Sequence, residues 1–203
     1  MGFPGAGEEA AATRGDAARG TFVAIAGPSG AGKDTLIRGL GAELGEADGV
    51  FYVRRVVTRR ADAFEDHDTL DEGEFLAARE GGRFALTWPA HGLHYGIPGE
   101  VDDMIRSGGV VVCNVSRAVV ADVRRRYPNS LVVLVTARPE TLAARLAARG
   151  REGVQGRRAR LERAYSAEVD IEPDAVIDND GAIDEAVARL HDLVIARCRN
   201  AGR

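Results

Sequence analysis

Lys33 is the single lysine of the chain; the other 26 of its 27 basic residues are arginine. Lysine is a compact point charge on a flexible stem, whereas arginine is a wide planar fork, so a lone lysine marks a place where a point charge is needed. It closes the run Gly27-Pro28-Ser29-Gly30-Ala31-Gly32-Lys33, which follows a short apolar segment and precedes a helical one. GxxxxGK in that setting is a phosphate-binding loop: glycines let backbone N–H groups converge on phosphate oxygens without interference from Cβ atoms. The helix N-terminus adds partial positive charge, and Lys33 adds a full charge for the β- and γ-phosphates of ATP. A Gly-rich turn that binds nothing is the plain alternative, and the lone lysine argues against it. Such loops place Ser or Thr after the lysine, toward magnesium; here Asp34 stands there, followed by Thr35. Asp34 either favours the helix N-terminus or binds Mg2+ with the ATP, and the two roles are compatible. Gly27, Pro28, Ser29, Gly30, Ala31, Gly32, Lys33, Asp34 and Thr35 are therefore the expected ATP-binding residues, with Lys33 catalytic and Asp34 the metal ligand.

Other groups are weighed against duller roles. Seven arginines (Arg145, Arg149, Arg151, Arg157, Arg158, Arg160, Arg163) meet only Glu152 and Glu162 in the same stretch. They form either a triphosphate clamp or a solvated helical surface, and about half fit the second description. Arg124-Arg125-Arg126 suit a helix C-terminus better than a substrate. His67 lies between Asp66 and Asp68 as a solvated loop residue or a substrate contact. His91 and His94 lack further ligands at zinc spacing. Asn114, Ser116 and Arg117 follow an apolar strand, where parallel sheets open onto their ligands, although Ser116 could equally cap the next helix.

These residues need a scaffold. At 203 residues, 45 % hydrophobic and 29 % charged, the chain is long enough for one domain with a sizeable core. A net charge of −4 argues against a nucleic-acid binder. No apolar run spans a membrane, no signal-peptide core is evident, and Cys113 and Cys198 stand far apart, so a reduced, cytoplasmic protein is expected. Residues 1–20 predict a mobile N-terminal extension, and residues 21–203 a single domain. Strand-like runs fall at Thr21–Ala26, Phe51–Val57, Phe84–Trp88, Val110–Val115, Leu131–Thr136 and Ala175–Ile177. Helical spacing falls at Thr35–Leu44, Val101–Ile105, Ala118–Arg126, Pro139–Arg149 and Ala182–Cys198. The alternation predicts an α/β fold with a central, mostly parallel sheet covered on both faces. Residues 58–100 and 150–170 fit it least and are expected at the working edge.

The chain resembles the guanylate-kinase-like branch of P-loop kinases. The phosphate loop is followed by Thr58-Arg59, Tyr95-Gly96, Arg149-Gly150-Arg151-Glu152 and Asn179-Asp180, in matching order from residue 21 onward. Within that branch it is similar to the ribose 1,5-bisphosphate phosphokinases. Asp after the P-loop lysine, Glu65-x-His67-x-x-Leu70, Trp88, Gly92-x-x-Tyr95-Gly96 and Asn114-x-Ser116-Arg117 carry that likeness. The resemblance implies a three-layer P-loop kinase with an acceptor-binding insert near 55–98 and an Arg-rich lid near 148–163. Arg149 and Arg160 would then join Lys33 as catalytic residues, with Arg145 in reserve. Asn179 and Asp180 would bind ATP, and Arg59, Glu65, His67, Tyr95, Asn114, Ser116 and Arg117 would bind the acceptor. The implied reaction turns Mg–ATP and ribose 1,5-bisphosphate into ADP and 5-phosphoribosyl 1-diphosphate. Nucleoside monophosphate kinases share the apparatus, but Asp62 replaces a phosphate-gripping arginine of guanylate kinases and Thr87 their base-reading glutamate before Trp88. A catalytically dead binding module is opposed by the intact loop. The expected partners are small molecules, with no nucleic acid and no membrane; a homodimer stays open.

Overall fold

The computed structural model describes residues 20–60, 66–90, 92–148 and 171–201. The expected extension at 1–20 lies, but for Gly20, outside them, as does the expected lid, but for Ala148.

Five strands form the central sheet: β1 (Thr21–Ala26), β2 (Val50–Tyr52), β7 (Val110–Asn114), β8 (Ser130–Thr136) and β9 (Ala175–Asp178). Their order is β2-β7-β1-β8-β9, and every pairing is parallel. All six residues of β1 are buried because helices cover both faces of the sheet. On one face Val23 and Ile25 pack with Leu36 and Leu40 of α1 (Lys33–Glu43) and with Leu190 and Val194 of α6 (Ile183–Ala201). On the other, Phe22, Ala24 and Ala26 meet Val101 and Ile105 of α3 (Val101–Arg106) and Val120 and Val123 of α4 (Val120–Arg126). Full burial of each such Leu, Ile or Phe is worth roughly 1.5–3 kcal/mol. α5 (Pro139–Ala148) opens on the proline, whose missing N–H costs nothing in a first turn.

The expected strand Phe51–Val57 divides in two. Val53 still donates its N–H to Val112 at 3.1 Å, but the chain then leaves the parallel sheet, and β3 (Val56–Val57) joins a second sheet. That sheet has the order β4-β3-β6-β5, with β4 (Asp68–Thr69), β5 (Phe84–Ala90) and β6 (Leu93–Pro98). Arg54 and Arg55 occupy the crossing; Arg54 pairs with Asp66 and Asp68. The second sheet is covered by α2 (Glu72–Glu80), where Asp71 accepts from the Glu74 N–H at 2.8 Å and Glu74 reaches back to the Asp71 N–H at 3.0 Å. Trp88 and Ile97 carry this sheet into the core cluster shared with α3 and α4.

The triplet Arg124-Arg125-Arg126 is committed to structure. Arg124 reaches Asp174, Arg125 pairs with Asp122, and Arg126 pairs with Asp102, which also accepts from the Tyr127 hydroxyl at 2.8 Å.

Candidate active site

Six residues separate β1 from α1, and they turn over the C-terminal edge of the parallel sheet, where open α/β folds bind ligands. Two glycines there are obligatory. Gly27 has φ 146°, and a Cβ on it would stand 2.0 Å from the Val135 carbonyl oxygen. Gly32 has φ 89°, and its Cβ would stand 2.4 Å from Asn179 Nδ2. Lys33 donates from Nζ to the carbonyls of Gly27 and Pro28, at 3.0 Å each, so its ammonium arches back over the loop. Ala31 is buried, whereas Ser29 and Thr35 are exposed.

Two further elements hold this loop from behind. Asn179, only 2 % exposed, donates Nδ2 to the Ala31 carbonyl at 2.7 Å. Arg145 of α5 donates Nη2 to the Asn179 carbonyl at 2.8 Å and Nη1 to the Gly30 carbonyl at 3.5 Å. Asp180 accepts from the Arg138 N–H at 2.8 Å; the Thr141 side chain and that N–H hold its carboxyl below the usual carboxylate range. Asn179 and Asp180, expected to touch ATP, thus brace the nucleotide loop and the start of α5, because both side chains are turned toward backbone groups.

Asp34 is half-buried on the first turn of α1, and its nearest described partner is Asn114. Asn114 ends β7 beside β1, is 6 % exposed, and donates Nδ2 to Asp34 Oδ1 at 2.6 Å. It was expected at the acceptor; the structure joins its side chain to Asp34 on the first turn of α1, because β7 lies next to β1 and its last residue reaches that helix. Burial pushes the neighbouring Cys113 thiol up to about 12; the Arg55 charge opposes that shift and the Asp34 charge adds to it. Arg55, half-buried at the crossing between sheets, is thereby placed near the end of β7. Its one sequence signal was a charge interrupting an apolar strand.

The remaining expected residues lie on or next to the second sheet and at the end of β7. Tyr95 of β6 stacks on Trp88 of β5 at 5.5 Å and sits opposite Val57. Arg59 is half-buried after β3, and its carbonyl accepts from Thr69 Oγ1 at 3.1 Å. His67 is 4 % exposed, with Nδ1 3.1 Å from the Asp68 carbonyl, so it is not a solvated loop residue. Ser116 accepts from the Ala118 N–H at 3.3 Å and caps the 3-10 turn Arg117–Val119, the alternative its position left open. Arg117 is half-buried, and burial works against its charge. Glu65, Asp62, His91, Arg149 and Arg160 lie outside the described residues.

Among the described residues no group of three or more His, Cys, Asp or Glu side chains could hold a metal ion. Mg2+ in phosphoryl-transfer sites needs less, because phosphates and water fill most of its octahedron around one or two carboxylates. The donors present fit that pattern: Asp34 offers a carboxylate beside the phosphate loop, and Asn114 Oδ1 is buried without a hydrogen-bond partner among the described residues. No described helix is long and apolar enough to cross a membrane.

A glycine-shaped loop between strand and helix, a lysine over it, and a carboxylate at the edge of a parallel sheet define a P-loop kinase fold. A family model described as an AAA domain matches residues 23–170. A guanylate kinase from Anaplasma phagocytophilum has this fold, with a TM-score of 0.65 at 19 % identity over 89 % of each chain. A ribose 1,5-bisphosphate phosphokinase PhnN from Brucella melitensis is 46 % identical over 180 residues, covering 88 % of this chain and 94 % of the relative. One from Methylobacterium radiotolerans is 48 % identical over 171 residues, covering 84 % and 95 %. The chain belongs to the ribose 1,5-bisphosphate phosphokinase family.

Proposed function

We propose that the protein transfers the γ-phosphoryl group of Mg–ATP to ribose 1,5-bisphosphate, releasing ADP and 5-phosphoribosyl 1-diphosphate. The observation that carries this reading is 46 % identity along 94 % of a relative bearing that name. The site's composition supports it. Thr87 and Trp88 of β5 pair with Gly96 and Tyr95 of β6, and none of these four residues offers a carboxylate to a purine N–H edge. Arg59, which follows β3, and Arg117, which follows β7, are the cations proposed for the acceptor phosphates.

A phosphate oxygen of the acceptor attacks the γ-phosphorus; a new P–O bond forms as the bond to the β-phosphate oxygen breaks, and the electron pair leaves with ADP. That nucleophile is already ionised near neutral pH, so no general base is required and positioning supplies the rate. The loop amides and the start of α1 cradle the ATP phosphates, and Lys33 stabilises charge on the transferring group. The family resemblance gives Arg149 and Arg160 the same role. Asp34, together with the ATP phosphates, would hold Mg2+, which would supply neutralising charge there.

An acceptor screen with radiolabelled ATP tests the proposal. Ribose 1,5-bisphosphate is expected to be phosphorylated with far higher kcat/KM than GMP; equal or greater kcat/KM for GMP overturns it.

A further inference from the structure

We infer that Asn114 is a positioning residue for the metal-facing carboxylate of Asp34, so that acid and neutral partner have exchanged places between α1 and β7. The inference rests on the phosphotransfer reading above in taking Asp34 as the ligand of the ATP-bound ion. P-loop enzymes commonly hold Mg2+ between a hydroxyl that follows the lysine and an acid on another strand of the sheet. Here the acid follows the lysine, and the strand beside β1 ends in an amide.

The two side chains meet although they are 80 residues apart in sequence: Asn114 Nδ2 lies 2.6 Å from Asp34 Oδ1. The orientation of the amide follows from charge, since only its N–H group can face a carboxylate at that distance. The place is built for this contact. Asn114 pairs with Ile25 in the parallel ladder, and the next N–H, from Val115, bonds to the Ile25 carbonyl at 3.0 Å. The strand therefore fixes where the amide stands, and the amide fixes the carboxylate. Its other end, Oδ1, is buried with no hydrogen-bond partner among the described residues. A buried amide carbonyl left that way points to a partner that arrives with the ligand, and a metal-bound water is such a donor.

Charge favours exchange over duplication. One carboxylate and one neutral hydrogen-bonding group give the site the same charge in either arrangement. Two carboxylates at this separation would repel each other whenever the ion is absent. A hydroxyl at 34 with the amide at 114 would leave the ion no carboxylate from either position.

The test measures Mn2+ binding by electron paramagnetic resonance with a saturating non-hydrolysable ATP analogue and no acceptor. Loss of an outer partner of a metal ligand typically costs about 10–100-fold in affinity, and Asn114→Ala is expected to fall in that range while metal-free nucleotide affinity holds. Asp34→Ser is expected to weaken Mn2+ binding further. The exchange variant, Asp34→Ser with Asn114→Asp, is expected to regain about tenfold or more over Asp34→Ser, within the range for outer-partner effects. Wild-type Mn2+ affinity in Asn114→Ala overturns the inference, as does a folded exchange variant no tighter than Asp34→Ser. Wild-type affinity in Asp34→Ser removes that residue from the metal site and overturns it too. Either variant at position 114 decides the question if the other fails to fold. Because no acceptor is present, a wrong acceptor leaves these results untouched: protein that binds Mn2+ and nucleotide yet phosphorylates no sugar bisphosphate fails the functional reading alone.

Discussion

Replacing Gly32 by Ala places a Cβ 2.4 Å from Asn179 Nδ2 in a residue whose φ is 89°. Two separate costs follow. The left-handed backbone charges an L-residue roughly 1–2 kcal/mol wherever it occurs. The contact also forces Asn179 away from the Ala31 carbonyl, its acceptor at 2.7 Å, leaving a buried carbonyl unpaired for about 1–3 kcal/mol. Gly32→Ala should therefore destabilise by about 2–5 kcal/mol. Asn179→Ala breaks the same bond by deletion and should cost about 1–3 kcal/mol. In the double variant the bond is already gone, so only backbone strain is added, and the total should again be about 2–5 kcal/mol. The pair is expected to couple by about 1–3 kcal/mol, read from urea titrations of wild type, both single variants and the double variant. Additivity within about 0.5 kcal/mol would refute the clash and leave strain as the only reason for glycine.

In its proposed role at the transferring phosphoryl group, Arg149→Ala should lower kcat on the order of 100-fold with little change in KM for ATP. A change confined to KM would make it a ground-state binding residue. Asp102 offers a pH-dependent prediction. Burial works to raise its pKa, but hydrogen bonds from Arg126 and Tyr127 outweigh that and lower it. A carboxylate lowered on folding stabilises above its unfolded value, about 3.9, and loses that contribution as pH falls through the folded value. Asp102→Asn should thus lower Tm by about 2–4 °C at pH 7, and the gap from wild type should close below about pH 4. A gap that stays constant down to pH 2 would show that the carboxylate's charge is irrelevant.

The central sheet was legible because its signal is local. Each of Thr21–Ala26, Val110–Asn114 and Ser130–Thr136 is a continuous apolar run bounded by turn residues, the mark of a strand buried on both faces. The second sheet gave little such signal. β4 is two exposed residues long, and β6 is half-buried, so neither shows a clear alternation. The break after Val53 has no apolar signature either; it appears as Arg54 and Arg55 inside what reads as one strand. α2 was legible in principle through Asp71-x-x-Glu74, a reciprocal cap signature. At the site, the phosphate loop was readable because its glycines and lysine are contiguous. The bracing of that loop by Asn179 and Arg145 depends on β9 and α5 meeting across the sheet. No local pattern encodes that meeting.

The same dependence on tertiary contact accounts for the chemistry of the metal edge. In the proposed site, the carboxylate at position 34 would stand beside the phosphates gathered by the loop and Lys33. Two unit charges about 4 Å apart repel by about 4 kcal/mol at an effective dielectric of about 20. A cation between them would turn that repulsion into attraction on both sides, so the acid would make nucleotide binding tighter with the ion than without it. A second carboxylate on β7 would deepen the repulsion in the ion's absence, whereas Asn114 adds none. The amide instead holds Asp34 through a charge-assisted hydrogen bond without competing for the cation. In the proposed site, a lysine and an acid on the first turn of α1 and a neutral amide at the end of β7 would together couple ATP to its metal at this edge of the sheet.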